Sequence, residues 1–413
     1  MIEKLPPLHQ RLLRQIDRQA ADLDSPAYLV GGSVRDILLG LPAFDLDVVV
    51  EGDAIQLAQA LKASSGGELT LHTKFRTATW QPPAGPPLDL ITARRETYPA
   101  PASLPIVSPS NLADDLARRD FSINTLALRL ADEALIDLHN AQSDLASGLI
   151  RVLHPQSFHD DPTRLYRAVR YETRYGFRIT AETLALIPPA LPLVERLTAE
   201  RIRHEFDLLF HETHPAKVLA RMAELDLLQA VLPDVLPWDS LVADRLAFDL
   251  SALPASEWGL DLTFNGQPLN LVLGYALWLG HLHHAQIDLL HERLNFPLTV
   301  LKTIQAVSAL MADLPSLKDA RPSAWAQRLA EVPLAAIYAA YISSREPALR
   351  RYAAEWRNIH PTADGETLKA LGLPPGPRYA QILAALRAAW LDGEIKTPEQ
   401  ESDFLQKLIQ KKG

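Results

Sequence analysis

The chain has 413 residues, 47% hydrophobic and 22% charged, with a formal net charge of −9 and no cysteine. That length exceeds one ordinary compact domain and predicts two to four units. The missing cysteines exclude disulfides, thiolate-held zinc and iron–sulfur clusters, and fit a reducing compartment.

Residues 1–24 read as an amphipathic helix with Leu12, Leu13 and Ile16 on one side. The opening carries no apolar signal-peptide region, and the weakly polar run 271–280 is about half a bilayer span. A cytoplasmic protein without a membrane partner is therefore expected. YLV (28–30) and DLDVVV (45–50) read as strands, and FRTATW (75–80) with PLDLITAR (87–94) as a further strand pair across QPPAGP. The stretch 96–111 is so rich in proline and serine that it reads as a mobile loop without regular pairing. Beyond residue 153 the β-branched alternation fades, and from Asp160 the pattern is helical almost to the end. The fold class is α+β: a mixed sheet with helices over residues 1–140, then helical segments over 141–210, 211–320 and 321–413.

Gly31-Gly32-Ser33 follows a strand and opens a helix. Glycine allows close backbone approach, and free N–H groups at a helix start attract phosphate oxygens. Arg35, in the first turn, adds positive charge. Asp45 and Asp47 are two apart on a strand, which puts both carboxylates on one face. Such a pair opposite a phosphate cradle forms a magnesium site for phosphoryl chemistry, with Asp89 on a neighbouring strand as the third carboxylate. Taken singly, the glycines read as a turn and the aspartates as strand-end residues; their order and spacing favour the site. The string GGSVRD…DLD resembles the signature of the nucleotidyltransferase superfamily of DNA polymerase beta, and more narrowly class II tRNA CCA-adding enzymes and bacterial poly(A) polymerases.

In DDLARRDFSIN (114–124), Arg118, Arg119 and Asp120 run into an apolar segment, so they sit at the edge of a core rather than on a free charged turn. Arginine suits a triphosphate through its planar fork, and Asp120 has the chemistry to accept from a ribose hydroxyl. This segment is similar to the family's RRDFTINA motif, with Ser122, Thr125 and Leu126 departing from it conservatively. Farther on, Arg164, Arg167, Arg170 and Arg174 fall within an arc of roughly 120° on one helix face. Pro162 suits the first turn, with Asp160 or Asp161 as cap. A basic surface stripe balanced by a neighbouring helix is the plainer reading of that face. Asp161 and Arg164 together, however, can accept from the amine of cytosine or adenine and donate to the ring's acceptors. They resemble the EDxxR motif of class II enzymes, with Asp160 in place of its glutamate.

VERLTAERIRHEFDLLF (194–210) looks like the family's next helical motif, where Arg196, Arg201 and Glu205 are expected to brace the neighbouring helix. The histidines of GHLHH (280–284) lack the His-Asp doublet of an HD-type hydrolase and read as structural or surface residues. Residues 371–401 resemble the tail of many CCA-adding enzymes, in which Arg378 and Arg387 would meet tRNA phosphates. The resemblance implies a polymerase-beta-like nucleotidyltransferase head over 1–140, a neck over 141–210 with the nucleotide-reading motif, a body over 211–320 and a tRNA-binding tail over 321–413. It implies magnesium as cofactor, CTP and ATP as substrates and the tRNA 3′ end as partner, with CMP, CMP and AMP added and pyrophosphate released. An A-adding or CC-adding enzyme and a poly(A) polymerase share this chemistry, and a non-catalytic RNA-binding scaffold is the alternative from another class. Loop 96–111, full rather than shortened, is expected to rearrange between C and A addition.

Overall fold

The computed structural model describes residues 1–42, 46–247 and 255–410. Two compact units emerge: residues 1–205 with 221–231, and residues 206–220 with 232–413. No helix among the described residues is long and apolar enough to cross a membrane.

The first unit begins with helix α1 (Pro7–Asp22), whose Leu12, Leu13 and Ile16 are buried as the periodicity predicts. Strand β1 (Ala27–Val30) and helix α2 (Gly32–Leu39) follow, then β2 (Leu46–Val50) and helix α3 (Ala54–Ser65). Asp53 caps α3 by accepting from the Ile55 and Gln56 amides, which locks its first turn. Next come β3 (Glu68–His72), β4 (Thr77–Gln81) and β5 (Leu88–Thr92). A separate hairpin of β6 (Arg94–Thr97) and β7 (Ile106–Pro109) leads into helix α4 (Leu112–Ala117). Strands β8 (Leu126–Arg129) and β9 (Leu135–Asp137) complete a seven-stranded sheet of order β3-β4-β5-β2-β1-β8-β9.

Only the β2–β5 pair of that sheet is parallel; the other neighbours are antiparallel. This mixed arrangement and the helical remainder agree with the α+β reading. Val48, Val49 and Val50 of β2 are fully buried, as are Leu57, Ala58 and Leu61 of α3 and Trp80 of β4. The centre of the sheet is thus a rigid apolar floor, and the ends of β2 and β5 carry the polar residues. Helix α5 (Ala141–Ser147) and the short α6 (Ser157–Asp160) lead to α7 (Thr163–Tyr175).

One expectation fails at the stretch 96–111. Its two ends pair as β6 and β7, with Arg94 opposite Pro109 and Thr97 opposite Ile106. The prolines fall where pairing does not need an N–H: Pro99, Pro101 and Pro105 lie in the turn and Pro109 at the strand's last position. A smaller departure concerns the helical remainder, which includes two-residue strand pairs at 149–150 with 178–179 and at 263–264 with 267–268.

The second unit is otherwise helical. Its helix Leu269–Leu279 is buried along nearly its whole length, and Gly274 lets it lie against the Phe210 ring, where a β-carbon would collide. Near the chain's end Glu401, almost fully buried, accepts from the Thr362 and Ala363 amides and from the Trp390 indole. That ties helix Pro398–Gln410 to the loop before residue 365.

Candidate active site

A cavity of about 470 Å³ in the first unit is lined by Gly32, Arg35, Asp47, Arg119, Asp120, Asp161, Arg164 and Arg167, together with residues from the hairpin and α7. Eight of the residues singled out from the sequence therefore meet in one place, although they span more than a hundred positions. Six arginines and four carboxylates line it: Arg35, Arg94, Arg118, Arg119, Arg164 and Arg167 against Asp47, Glu96, Asp120 and Asp161. The surplus of cationic forks suits a polyanion, despite the chain's acidic total.

The floor is the start of α2. Gly31 holds φ +67, a conformation that side-chain-bearing residues rarely adopt. A β-carbon there would lie 2.3 Å from Nη1 of Arg119, so the glycine clears space for an arginine as well as permitting the turn. Arg119 donates from Nη1 to the Asn124 carbonyl at 3.1 Å and from Nη2 to Asp115 at 3.1 Å, while its Nε is buried without a hydrogen-bond partner. Ser33 is buried beneath the helix start and is not among the lining residues.

Arg35 is buried and donates from Nε to Asp36 at 2.8 Å and from Nη1 to Asn124 Oδ1. Its guanidinium stacks over Tyr175 at 4.7 Å and Tyr171 at 5.4 Å. Asp36 and the two tyrosines hold its proton more firmly than burial loosens it.

Asp47 and Asp89 are in-register neighbours on the parallel strands β2 and β5. Adjacent strands at that register present their side chains on one face. Asp89 is exposed and accepts from Thr79 Oγ1 at 2.6 Å; Asp47 reaches the cavity and Asp89 stands beside it, outside the lining. Asp45 lies outside the described residues. Hard carboxylate oxygens of this kind fit magnesium in ligand type. Among the described residues there is no cluster of three or more His, Cys, Asp or Glu suited to a metal.

The wall is α7. Asp161 lies two residues before its first residue, accepting from the Thr163 amide at 3.0 Å and the Thr163 hydroxyl at 2.6 Å, and Arg201 Nη2 joins on the same oxygen at 2.7 Å. All three bonds fall on Oδ1, which orients the carboxylate and leaves Oδ2 outside them. Arg164 donates from Nη1 to Ser157 Oγ and from Nη2 to the Arg118 carbonyl, both at 2.7 Å. Two anchors fix the plane of its guanidinium, and further N–H groups remain on it.

Asp120 is buried and uses both oxygens. Oδ1 accepts from the Phe121 amide and Asn124 Nδ2, each at 2.8 Å, and Oδ2 accepts from Arg167 Nε at 2.8 Å and Nη2 at 2.6 Å. Burial pushes its carboxyl up, but the Arg167 charge and the Asn124 and Arg167 hydrogen bonds outweigh that and hold it down at about 2. Asp120 raises Arg167 in turn. Arg170 is not a lining residue; it is buried against Glu205 at 2.8 Å, so it fastens α7 to helix Ala199–Leu209. Arg201 and Glu205 thus both brace α7 and the Asp161 that precedes it, the part read for them from the sequence, while Arg196 is exposed.

Several cavity residues escape a sequence reading. Asn124 joins Arg35, Arg119 and Asp120, and its place in FSIN is its only signal. Asp115, fully buried, clamps Arg118 at 2.7 Å and Arg119 at 3.1 Å. Glu96 on β6 accepts from Arg94 at 2.9 Å and Arg118 at 3.2 Å through one oxygen and from the Tyr98 hydroxyl at 3.0 Å through the other. Away from the cavity, His281 is exposed and meets Arg245, and His283 caps helix His284–Leu294. Arg378 and Arg387 bond backbone carbonyls of Ile409 and Ile359.

Residues 27–151 match the family model described as the poly A polymerase head domain, and residues 176–238 the one described as the probable RNA and SrmB-binding site of polymerase A. The chain is 32% identical to the A-adding tRNA nucleotidyltransferase of Halalkalibacterium halodurans, over 98% of this chain and 93% of that one. It is 30% identical to the CC-adding tRNA nucleotidyltransferase of Deinococcus radiodurans, over 98% of this chain and 95% of that one. The Thermotoga maritima CCA-adding enzyme complexed with tRNA-CCA superposes with a TM-score of 0.78 at 27% identity, covering 99% of this chain and 96% of that chain.

Proposed function

This chain belongs to the tRNA nucleotidyltransferase family, and we propose that it completes tRNA 3′ ends by adding CMP, CMP and AMP from CTP and ATP. The observation that carries this reading is that Asp161 and Arg164 together line an arginine-rich cavity that the α2 start also lines. Cytosine and adenine share an exocyclic amine beside a ring acceptor. A fixed carboxylate oxygen and a fixed guanidinium match both edges and mismatch uracil and guanine, which present a carbonyl where the amine should be.

In the proposed reaction the tRNA 3′-hydroxyl attacks the α-phosphate in line, a new phosphodiester forms, and the bond to the β-phosphate breaks to release pyrophosphate. Gly32 offers its backbone N–H, and Arg35 and Arg119 offer guanidinium charge, to the triphosphate, while Gly31, whose own N–H is given to the Leu126 carbonyl at 2.9 Å, serves through the turn and the space it clears. Asp120 holds Arg167 and Asn124 in place, and a ribose hydroxyl would share its oxygens with them. Arg170 supports the wall from behind. Asp45 and Asp47 would hold magnesium, with Asp89 alongside, and the ion when bound would supply charge stabilisation at the reacting phosphate and a lowered hydroxyl pKa.

The test is nucleotide choice. Asp161→Ala and Arg164→Ala should each narrow the preference for CTP and ATP over UTP and GTP by about tenfold, since a well-placed bidentate base contact contributes roughly 1–3 kcal/mol of discrimination. Incorporation falling equally for all four nucleotides would remove base reading from these residues. A second reading, addition of A alone, is favoured by the A-adding relative at 32% identity. It differs in leaving tRNA that lacks both cytidines unextended.

A further inference from the structure

Two hydrogen bonds along a base edge fix that edge but leave the tilt of the base plane free. An aromatic face would remove that freedom, and two aromatic rings line the cavity, Tyr98 and Tyr171. Tyr171 is already engaged: Arg35, Arg167, Arg170 and Arg174 lie 5.4–5.8 Å from its centroid, and Phe121 meets it edge-on at 5.9 Å. Among the described residues no ring or guanidinium stacks on Tyr98.

Tyr98 follows β6 directly and is half-buried. Its hydroxyl donates to Glu96 Oε2 at 3.0 Å, and the other oxygen of Glu96 is held by Arg94 and Arg118. The phenol is therefore pinned by a carboxylate that is itself pinned. Burial first, and the Glu96 charge second, push its ionisation up, so the donor persists at working pH. Asp161 and Arg164 line the same cavity as Tyr98, so the ring and the edge-reading pair share one space.

We infer that Tyr98 is a nucleotide-contacting residue, its ring the platform on which the base read by Asp161 and Arg164 stacks. This rests on the nucleotide site proposed above. Stacking is tolerant of base identity, so Tyr98 adds affinity for both CTP and ATP while the pair supplies choice.

Calorimetric titration of the full chain with ATP, CTP and inorganic tripolyphosphate tests the assignment. Tyr98→Ala should weaken ATP and CTP about tenfold or more, the range of base–aromatic stacking, and leave tripolyphosphate within about twofold. Tyr98→Phe, which keeps the ring and loses only the Glu96 bond, should bind both nucleotides within about threefold of wild type. Where Tyr98→Ala fails to fold, Tyr98→Leu keeps the bulk without the aromatic face and should show the same selective loss. Unchanged nucleotide affinity, or equal losses for tripolyphosphate and nucleotides, overturns the platform. A wild type that binds ATP and CTP no better than tripolyphosphate overturns the nucleotide site itself, and the platform with it.

Discussion

Burial would ordinarily neutralise a carboxylate such as Asp120, yet four donors keep it charged. A fall from 3.8 to about 2 corresponds to roughly 2–3 kcal/mol of folding stability. Because the folded value lies below the unfolded one, that contribution is present above about pH 4 and is lost as pH drops toward 2. Urea unfolding of wild type and Asp120→Asn from pH 6 to pH 2 should therefore show a stability gap that closes across this window. A gap independent of pH would mean that the carboxylate's charge contributes nothing to stability. Gly32, Arg35, Asp47, Arg119, Asp120, Asp161, Arg164 and Arg167 were legible because these residue types recur together at the spacings a phosphate site needs, whereas Arg94 and Glu96, which also line the cavity, were not. Nor were the supports. Asn124 reaches Arg35 across 89 positions, and no local pattern marks Asp115 or Glu96 as a partner of Arg118.

At the scale of elements, the hairpin of β6 and β7 is the part that sequence composition misjudged. Proline density says that a segment lacks donors; it does not say which donors the segment needs. Glu96 holds the hairpin to α4 through Arg118, and its side chain is only 7% exposed. Removing it leaves Arg94 without that carboxylate and Arg118 with Asp115 alone, and breaking such a pair typically costs about 3 kcal/mol when buried and somewhat less where the arginines stay partly wetted. Glu96→Ala should thus speed hydrogen exchange of the β6 and β7 amides at least about tenfold and leave β1 and β2 unchanged. Exchange that rises equally throughout the sheet, or not at all in the hairpin, would show that Glu96 does not fasten it. Strands β1 and β2 were legible from their short apolar, β-branched runs, and helix α7 from its arginine spacing. Strand β3 was not: ELTLH alternates Leu69 and Leu71 with polar residues, but five mostly exposed positions make that alternation short.

Over the whole molecule, a chain of net charge −9 confines six arginines to one cavity in its first unit. Total charge therefore misdirects and local charge informs, a distinction that only the folded arrangement resolves. The most direct measurement supplies tRNA ending at the discriminator base, at C or at CC, with one nucleoside triphosphate at a time, and reads extension and pyrophosphate. The proposed function predicts CMP added to the first two substrates, AMP added to the third, and UTP and GTP rejected. Extension of none of the three by any nucleotide would contradict it, and AMP addition to the third alone would replace it with the A-adding reading.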